Sequence, residues 1–209
     1  MIRFVSKNAA ILAGFAIFCV AILGTVNQLS QPRITEQLLL SRQALLQEVL
    51  PEPADVRSLF NDCVRVTATE LGRDTPQSVY RWRKEQQLLA YVMETTAPDG
   101  YSGNIDLLVA ISPVGEVLGA RVLNHQETPG LGDKIESRRS DWIYSFNGKL
   151  ASSANQPKWA VKKDGGEFDQ FTGATITPRA IVNAIYRTAQ FVQQHPELAE
   201  IAANCEATP

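Results

Sequence analysis

At 209 residues the chain has room for one membrane segment and one domain large enough to bury its own core, without metals or several disulfides to hold it. Its 20 basic and 22 acidic residues nearly cancel, which excludes the strong basic bias of a nucleic-acid-binding protein. With three cysteines, no CxxC spacing and two histidines, His125 and His195, the sequence argues against a protein-bound zinc or iron–sulfur centre, and no metal site is expected.

The first eight residues carry Arg3 and Lys7 and no acid. Ala9 to Val26 then runs for 18 residues without a charge. As a helix it would be about 27 Å long, near the hydrocarbon thickness of a bilayer. The next charges are Arg33 and Glu36, so the basic bias precedes the apolar run. The positive-inside rule then predicts a cytoplasmic N-terminus, with everything after the span on the other side of the membrane. A cleaved signal peptide shares the basic start. It would have a shorter apolar region and a small-residue cleavage site, whereas Asn27-Gln28-Leu29-Ser30-Gln31 follows here. A retained single-pass anchor in membrane lipid is the expectation. Cys19 inside it reads as a small apolar residue. Cys63 and Cys205 would both lie where a disulfide is permitted, but separation along the chain leaves their pairing open.

Ile34 to Leu50 carries Ile34, Leu38, Leu45 and Val49 at helical spacing, with Leu39, Leu46 and Leu50 beside them, and stops at Pro51 and Pro53. The stripe favours packing on the domain over a spacer between domain and membrane. Strand-like runs follow at Val79 to Arg83, Leu88 to Glu94, Ile105 to Ser112 and Val117 to Leu123. The last two flank the turn signal Pro113-Val114-Gly115-Glu116 and read as a hairpin. Trp159 to Lys162 and Phe168 to Phe171 are weaker strands. Pro178 to Gln194 is an amphipathic helix with Ile181, Val182, Ile185, Ala189 and Val192 on one face. Thr177 suits its N-cap and Pro178 its first position. The order predicts an α+β fold: one N-terminal transmembrane helix, then one compact domain with an antiparallel sheet and flanking helices. The expected boundaries are 1–8 cytoplasmic, 9–26 transmembrane, 27–53 amphipathic helix or linker, 54–195 domain and 196–209 tail.

Asp169-Gln170-Phe171-Thr172-Gly173-Ala174-Thr175-Ile176-Thr177-Pro178 places small and hydroxylated residues just before a helix. Free N–H groups and the positive end of the helix dipole suit a phosphate there. Gly173 and Ala174 allow close approach, and Thr172, Thr175 and Thr177 offer hydroxyls. Spacing alone favours an ordinary Thr-capped turn. His125-Gln126-Glu127-Thr128-Pro129-Gly130-Leu131-Gly132-Asp133-Lys134 adds a loop with two glycines and a proline, able to lie against a planar ring or to be a plain surface turn. Gly100-Tyr101-Ser102-Gly103 brings an aromatic ring to a tight turn.

Together and in this order, these segments resemble the FMN-binding domain of flavinylated respiratory proteins. That domain occurs in the C subunit of the sodium-pumping NADH:quinone oxidoreductase and in the G subunit of the Rnf complex. The likeness runs from about Tyr91 to Gln194, and the short chain favours the Rnf type. The pattern T-G-A-T-x-T implies a flavin transferase that moves FMN from FAD onto Thr175 as a phosphoester. Asp169, Thr172, Gly173, Ala174 and Thr177 would complete the recognised pattern. Glu127, Thr128, Gly130, Leu131 and Gly132 match the loop expected to line the isoalloxazine ring, with Tyr101 near it.

Lys162, or Lys158 or Lys163, could pair with the phosphate or with a reduced flavin's pyrimidine side; a solvated basic strand is an equally good reading of any one of them. Trp142, Tyr144 and Trp159 could stack near the ring, though core packing is commoner. The resemblance implies an electron-carrier subunit, with no catalytic acid, base or nucleophile of its own. Its complex would couple ferredoxin–NAD electron exchange to sodium or proton movement. Partner subunits of A, B, C, D and E types follow from it. The alternatives are the sodium-pump C subunit, a membrane-tethered FMN-binding regulatory module, and an anchor without cofactor.

Overall fold

A computed structural model describes residues 2–205, apart from the side chains of residues 2–5, 35, 36, 38, 39, 42, 56 and 57. The chain divides into two compact units, Met1–Gln43 and Ala44–Pro209. Helix α1 spans Ile2–Glu48, with Pro32 inside it. Ser6–Ile34 within it is long and apolar enough to cross a membrane. The anchor and the amphipathic helix, expected as successive segments, run on as one helix. Proline forfeits one backbone bond, but no glycine lies between Thr25 and Glu48 to release the turns on either side. Gln31 also bonds the Asn27 side chain one turn back, at 3.2 Å. Of the apolar stripe, Ile34 is exposed, Leu46 and Val49 are buried, and the side chains of Leu38 and Leu39 lie outside the described residues.

The second unit is built on a six-stranded antiparallel meander in sequential order. After α2 (Val56–Asn61) come β1 (Cys63–Ala68), β2 (Arg73–Lys84), β3 (Gln87–Gly100), β4 (Gly103–Ile111), β5 (Glu116–Asn124) and β6 (Lys149–Leu150). The four expected strands are all present as β2 to β5, longer than their apolar runs because backbone pairing continues past them. The two weaker ones are not strands. Val161 and Phe168 form a single bridge, and Phe171 another with Ala174, because each segment is diverted by 3-10 turns and glycines. The first strand alternates Val64, Val66 and Ala68 with outward Arg65 and Thr67, a period-2 pattern over six residues that sequence reading passed over.

Period-2 alternation divides the sheet into two buried faces. On one face Tyr91 and Met93 of β3 and Ile105, Leu107 and Val109 of β4 meet helix α3 (Ile176–Gln194) through Ile181, Ile185 and Val192. On the other, Ala90, Val92, Leu108 and Ala110 meet Leu46, Val49 and Leu50. Full burial of a leucine such as Leu46 contributes about 1.5–3 kcal/mol. Gly119 is required beneath this contact, since a Cβ there would sit 2.4 Å from the Val49 carbonyl oxygen. The sheet turns Gly119 to that side by a bulge, the register skipping Leu118 between Gly119 and Val117. Arg121 closes the junction with Nε 2.9 Å from a Glu48 carboxylate oxygen and Nη2 3.0 Å from its carbonyl.

Past α3 the chain returns along β1 and β2. Buried Arg81 donates to the carbonyls of Leu198, Ala199 and Ile201, at 3.1, 3.2 and 2.6 Å, and pairs with Asp62. Cys63 and Cys205 then form a disulfide with Cα atoms 5.4 Å apart, settling the pairing the sequence left open. It closes a loop of 142 residues around the sheet and α3. Replacing both cysteines by serine should lower stability by about 2–4 kcal/mol, because the unfolded chain regains the freedom of a long loop. Urea unfolding of the full chain in detergent checks this; unchanged midpoints would contradict it.

Candidate functional site

The site forms where α3 begins. Phe171 is buried, with its ring against Trp142 at 5.1 Å between centroids, and this pins the preceding turn to the core. Ala174 N–H donates to the Phe171 carbonyl at 3.2 Å, and Gly173 takes φ +83°, a conformation that side chains disfavour. Thr175 occupies the N-cap position, and its hydroxyl makes no capping bond. The expected cap, Thr177, instead lies inside the helix, and Pro178 is its third residue instead of its first. Both fit there, because N–H groups of the first turn have no intrahelical partner and proline removes one of them at no loss. Thr177 is 1% exposed, and its hydroxyl donates to the Glu127 carboxyl group.

Glu127 joins the three segments singled out in the sequence. It is 4% exposed, and its other oxygen accepts the Ser102 N–H at 2.9 Å, from the turn between β3 and β4. In its own loop, the N–H groups of Leu131 and Gly132 point to the Thr128 carbonyl at 3.2 and 3.0 Å. Gly130, at φ +79°, donates its N–H to Asp133 at 2.8 Å. Gly132 has no room for a side chain: a Cβ would meet Glu127 Cβ at 2.9 Å and Thr177 Oγ1 at 3.1 Å.

A cleft of about 280 Å³ opens beside this junction. Of the residues expected at the site, Tyr101, Glu127, Thr128, Leu131, Gly132, Gly173, Ala174, Thr175 and Thr177 line it. Ile176 lines it too, and sequence reading passed it over as the variable position of the pattern. Gly130 and Thr172 sit beside the cleft's segments without lining it. Lys162 and Asp169 pair with each other at 2.6 Å on the exposed surface, outside the lining. Lys158 pairs with Glu167 at 3.2 Å, and the Lys163 N–H bonds Gln170. Trp159 packs among Phe146, Phe168 and Tyr186, and Tyr144 lies under the Arg121 guanidinium at 4.4 Å. Trp142 packs on Phe146 and donates Nε1–H to the Asp169 carbonyl at 2.8 Å. These aromatics serve the core and its edge.

Sequence reading missed the residues behind the loop. His125 Nδ1 accepts the Glu127 N–H at 3.0 Å, which leaves Nε2 facing Glu136 at 2.8 Å. Glu136 is held down to about 2, by its hydrogen bond from Arg138 first and that of His125 next, against the opposing effect of burial. Arg179 on the first turn of α3 forms a bidentate pair with Asp164 at 2.5 and 2.6 Å, and this lowers the Asp164 carboxyl. These pairs lie 2 to 15 residues apart, and no helical or strand period marks them.

The cleft thus offers an uncapped hydroxyl and the positive end of a 19-residue helix. Its rim is apolar, with Tyr101, Leu131 and Ile176 exposed by 67, 42 and 44%. That combination fits a ligand with a phosphate at one end and a planar ring at the other. With a helix long and apolar enough to cross a membrane in the same chain, this is the arrangement expected of the FMN-binding class that the sequence resembles.

Comparison with known proteins gives the same class. Residues 100–190 match the FMN-binding domain family, and residues 1–49 match the RnfG N-terminal region. The G subunit of the ion-translocating oxidoreductase complex of Photorhabdus laumondii is 47% identical over 98% of both chains. Its counterpart in Escherichia coli strain K12 is 48% identical over 97% of this chain and 98% of its own. The crystal structure of Shewanella oneidensis NqrC aligns over 74% of each chain with a TM-score of 0.48 and 21% identity. The chain belongs to the family of G subunits of the ion-translocating oxidoreductase complexes. The Rnf type expected from the sequence is therefore favoured over the sodium-pump C subunit.

Because Glu136 ionises more readily folded than at its ordinary value of 4.5, its contribution is present above that pH. It is lost as pH falls through about 2. Comparing urea midpoints of wild type and Glu136→Gln from neutral pH downward should show a difference that shrinks over this window; a constant difference would contradict the assignment.

Proposed function

We propose that the chain is the FMN-carrying electron-transfer subunit of an ion-translocating oxidoreductase complex, with FMN esterified through its phosphate to Thr175. One observation carries the residue choice. Of the three threonines in the pattern, Thr175 alone lines the cleft with a hydroxyl not bonded to protein, since Thr177 donates to Glu127 and Thr172 is exposed outside the lining.

The bound flavin supplies one- and two-electron redox chemistry. The chain's own residues hold and place it. A phosphodiester on Thr175 keeps a negative charge, which the N-terminus of α3 stabilises. Tyr101, Leu131 and Ile176 offer apolar surface to the ring, while Glu127, Thr128, Gly130 and Gly132 fix the loop beside it. Asp169 and Lys162 lie outside this arrangement as a surface pair, which fits a role for Asp169 in recognition by the transferase. A covalent link makes recapture of the cofactor intramolecular, at high effective concentration, in a compartment where free FMN is dilute.

The relatives are subunits of an ion-translocating oxidoreductase complex, which supports partner subunits for this chain; that these are of A to E types follows from the resemblance alone. A flavin transferase using FAD would install the cofactor. The charge asymmetry around α1 supports a cytoplasmic N-terminus, and the Cys63–Cys205 disulfide supports a periplasmic domain. Protease added to spheroplasts should therefore remove the domain from the anchor, whereas protection there and digestion in inverted vesicles would reverse the orientation.

Coexpression of the full chain with a flavin transferase tests the modification. A denatured gel band should fluoresce under ultraviolet light and vanish in Thr175→Val, with weaker labelling in Thr172→Val. Undiminished fluorescence in Thr175→Val would overturn the assignment.

A further inference from the structure

His125 stands directly after β5 with both ring nitrogens engaged. Nδ1 accepts the Glu127 N–H at 3.0 Å, and Nε2 faces a Glu136 carboxylate oxygen at 2.8 Å. An N–H donates only to a bare nitrogen, so the neutral ring carries its hydrogen on Nε2, toward Glu136. Two residues on, the Glu127 carboxyl group ties this loop to Thr177 of α3 and to Ser102 of the β3–β4 turn. His125 thus fixes the backbone on which the junction beside the cleft is built. Its other charged neighbours are already paired. Glu136 also meets Arg138 and, at 4.0 Å, Arg139. Asp133 accepts the Gly130 N–H and lies 3.6 Å from Arg139. From β4, Asp106 stands opposite Asn124 and is taken by Arg73. Imidazole ordinarily changes charge between about pH 5 and 8. Glu136, held down to about 2 by its bond from Arg138 first, stays ionised across that interval.

We propose that His125 is a pH-sensitive latch on the cleft: neutral, it holds the Glu127 loop in place, and with a proton from solvent on Nδ1 it lets that loop go. Where the flavin is concerned this rests on the covalent reading above, and it adds regulation of that site by protons. Once both nitrogens carry hydrogen, the ring has no acceptor left, whichever way it turns. The attraction of the cation to Glu136 keeps the ring in place, so the Glu127 N–H then faces another donor. Glu127 is 4% exposed, and a donor left without a partner there is costly. Its backbone shifts, and its hold on Thr177 and Ser102 weakens. Thr128, Leu131 and Gly132, in the same loop, then lose their fixed place along the cleft.

The chain has only two histidines, so NMR of the cofactor-free full chain in detergent, with nitrogen-labelled histidine, reads the latch directly. Signals absent from His125→Asn belong to His125. Their shifts should show the Nε2–H tautomer when the ring is neutral. Over the interval in which His125 becomes charged, the Glu127 amide should lose about tenfold of its protection from hydrogen exchange, the loss expected of one hydrogen bond. Asparagine readily accepts an N–H two positions on, through an oxygen that takes up no proton in this range. His125→Asn should therefore keep Glu127 protected at every pH, whereas His125→Phe, which offers no acceptor, should leave it unprotected throughout. In the flavinylated chain, quenching of FMN fluorescence by iodide should rise over the same interval in wild type and stay flat in His125→Asn.

Hydrogen on Nδ1 of the neutral ring, or Glu127 protection unchanged as His125 becomes charged, would overturn the proposal. A pH step that persists in His125→Asn would do the same, because His125 would then be a structural residue and not the group that titrates. So would iodide quenching that ignores the His125 interval in labelled protein. Should His125→Phe fail to fold, wild type against His125→Asn decides alone. A chain without FMN on Thr175 would instead remove the covalent reading, and the histidine and amide measurements, made without cofactor, would still decide the latch.

Discussion

One buried carboxyl group organises the functional end of this domain. Glu127 receives a hydroxyl from the first turn of α3 and a backbone N–H from the β3–β4 turn, and its own N–H is taken by His125. A group of this kind is costly to bury without partners, so it holds the segments that satisfy it in one arrangement. Three stretches scattered over more than seventy residues thereby become one cleft. Gly132 belongs to the same constraint, since any side chain there would part Glu127 from Thr177.

That junction has a rigid base. The meander fixes the β3–β4 turn and the end of β5, and α3 lies across one face of the sheet. The opposite face is closed by Leu46 at the end of α1 and Val49 just after it, by Arg121 on Glu48, and by the disulfide-bound C-terminal segment. With both faces buried, the sheet has little freedom to shift, and the cleft inherits that stiffness. Electrostatics complete the loop's support, because the Glu136 carboxylate holds His125 in the tautomer whose free Nδ1 accepts from Glu127.

Much of this was legible beforehand, and unevenly. Apolar alternation located β2 to β5, and the 3.6 periodicity located α3, because burial on a sheet or helix face leaves a repeating signal. β1 was passed over although Val64, Val66 and Ala68 alternate with Arg65 and Thr67, and the anchor and the amphipathic helix were read as separate segments where α1 runs on through Pro32. At the site, nine residues expected from the resemblance line the cleft, but local pattern assigned Thr177 the wrong task. A threonine before Pro178 looks like a cap; its true partner, Glu127, lies 50 residues earlier, where no local rule can see it. Lys162, left open by the sequence between an anion ligand and a solvated side chain, pairs with Asp169 on the surface, a contact equally invisible in one dimension.

Above all, this fold singles out one hydroxyl among neighbours of identical chemistry. Tryptic digestion of the flavinylated chain would release residues 164–179, which contain Thr172, Thr175 and Thr177 together. Tandem mass spectrometry of that peptide, using fragmentation that preserves phosphoesters, reads the modified residue directly. The predicted result is one FMN phosphoester on Thr175 and none on the other two. FMN on Thr172 or Thr177, or an unmodified peptide from fully fluorescent protein, would contradict it.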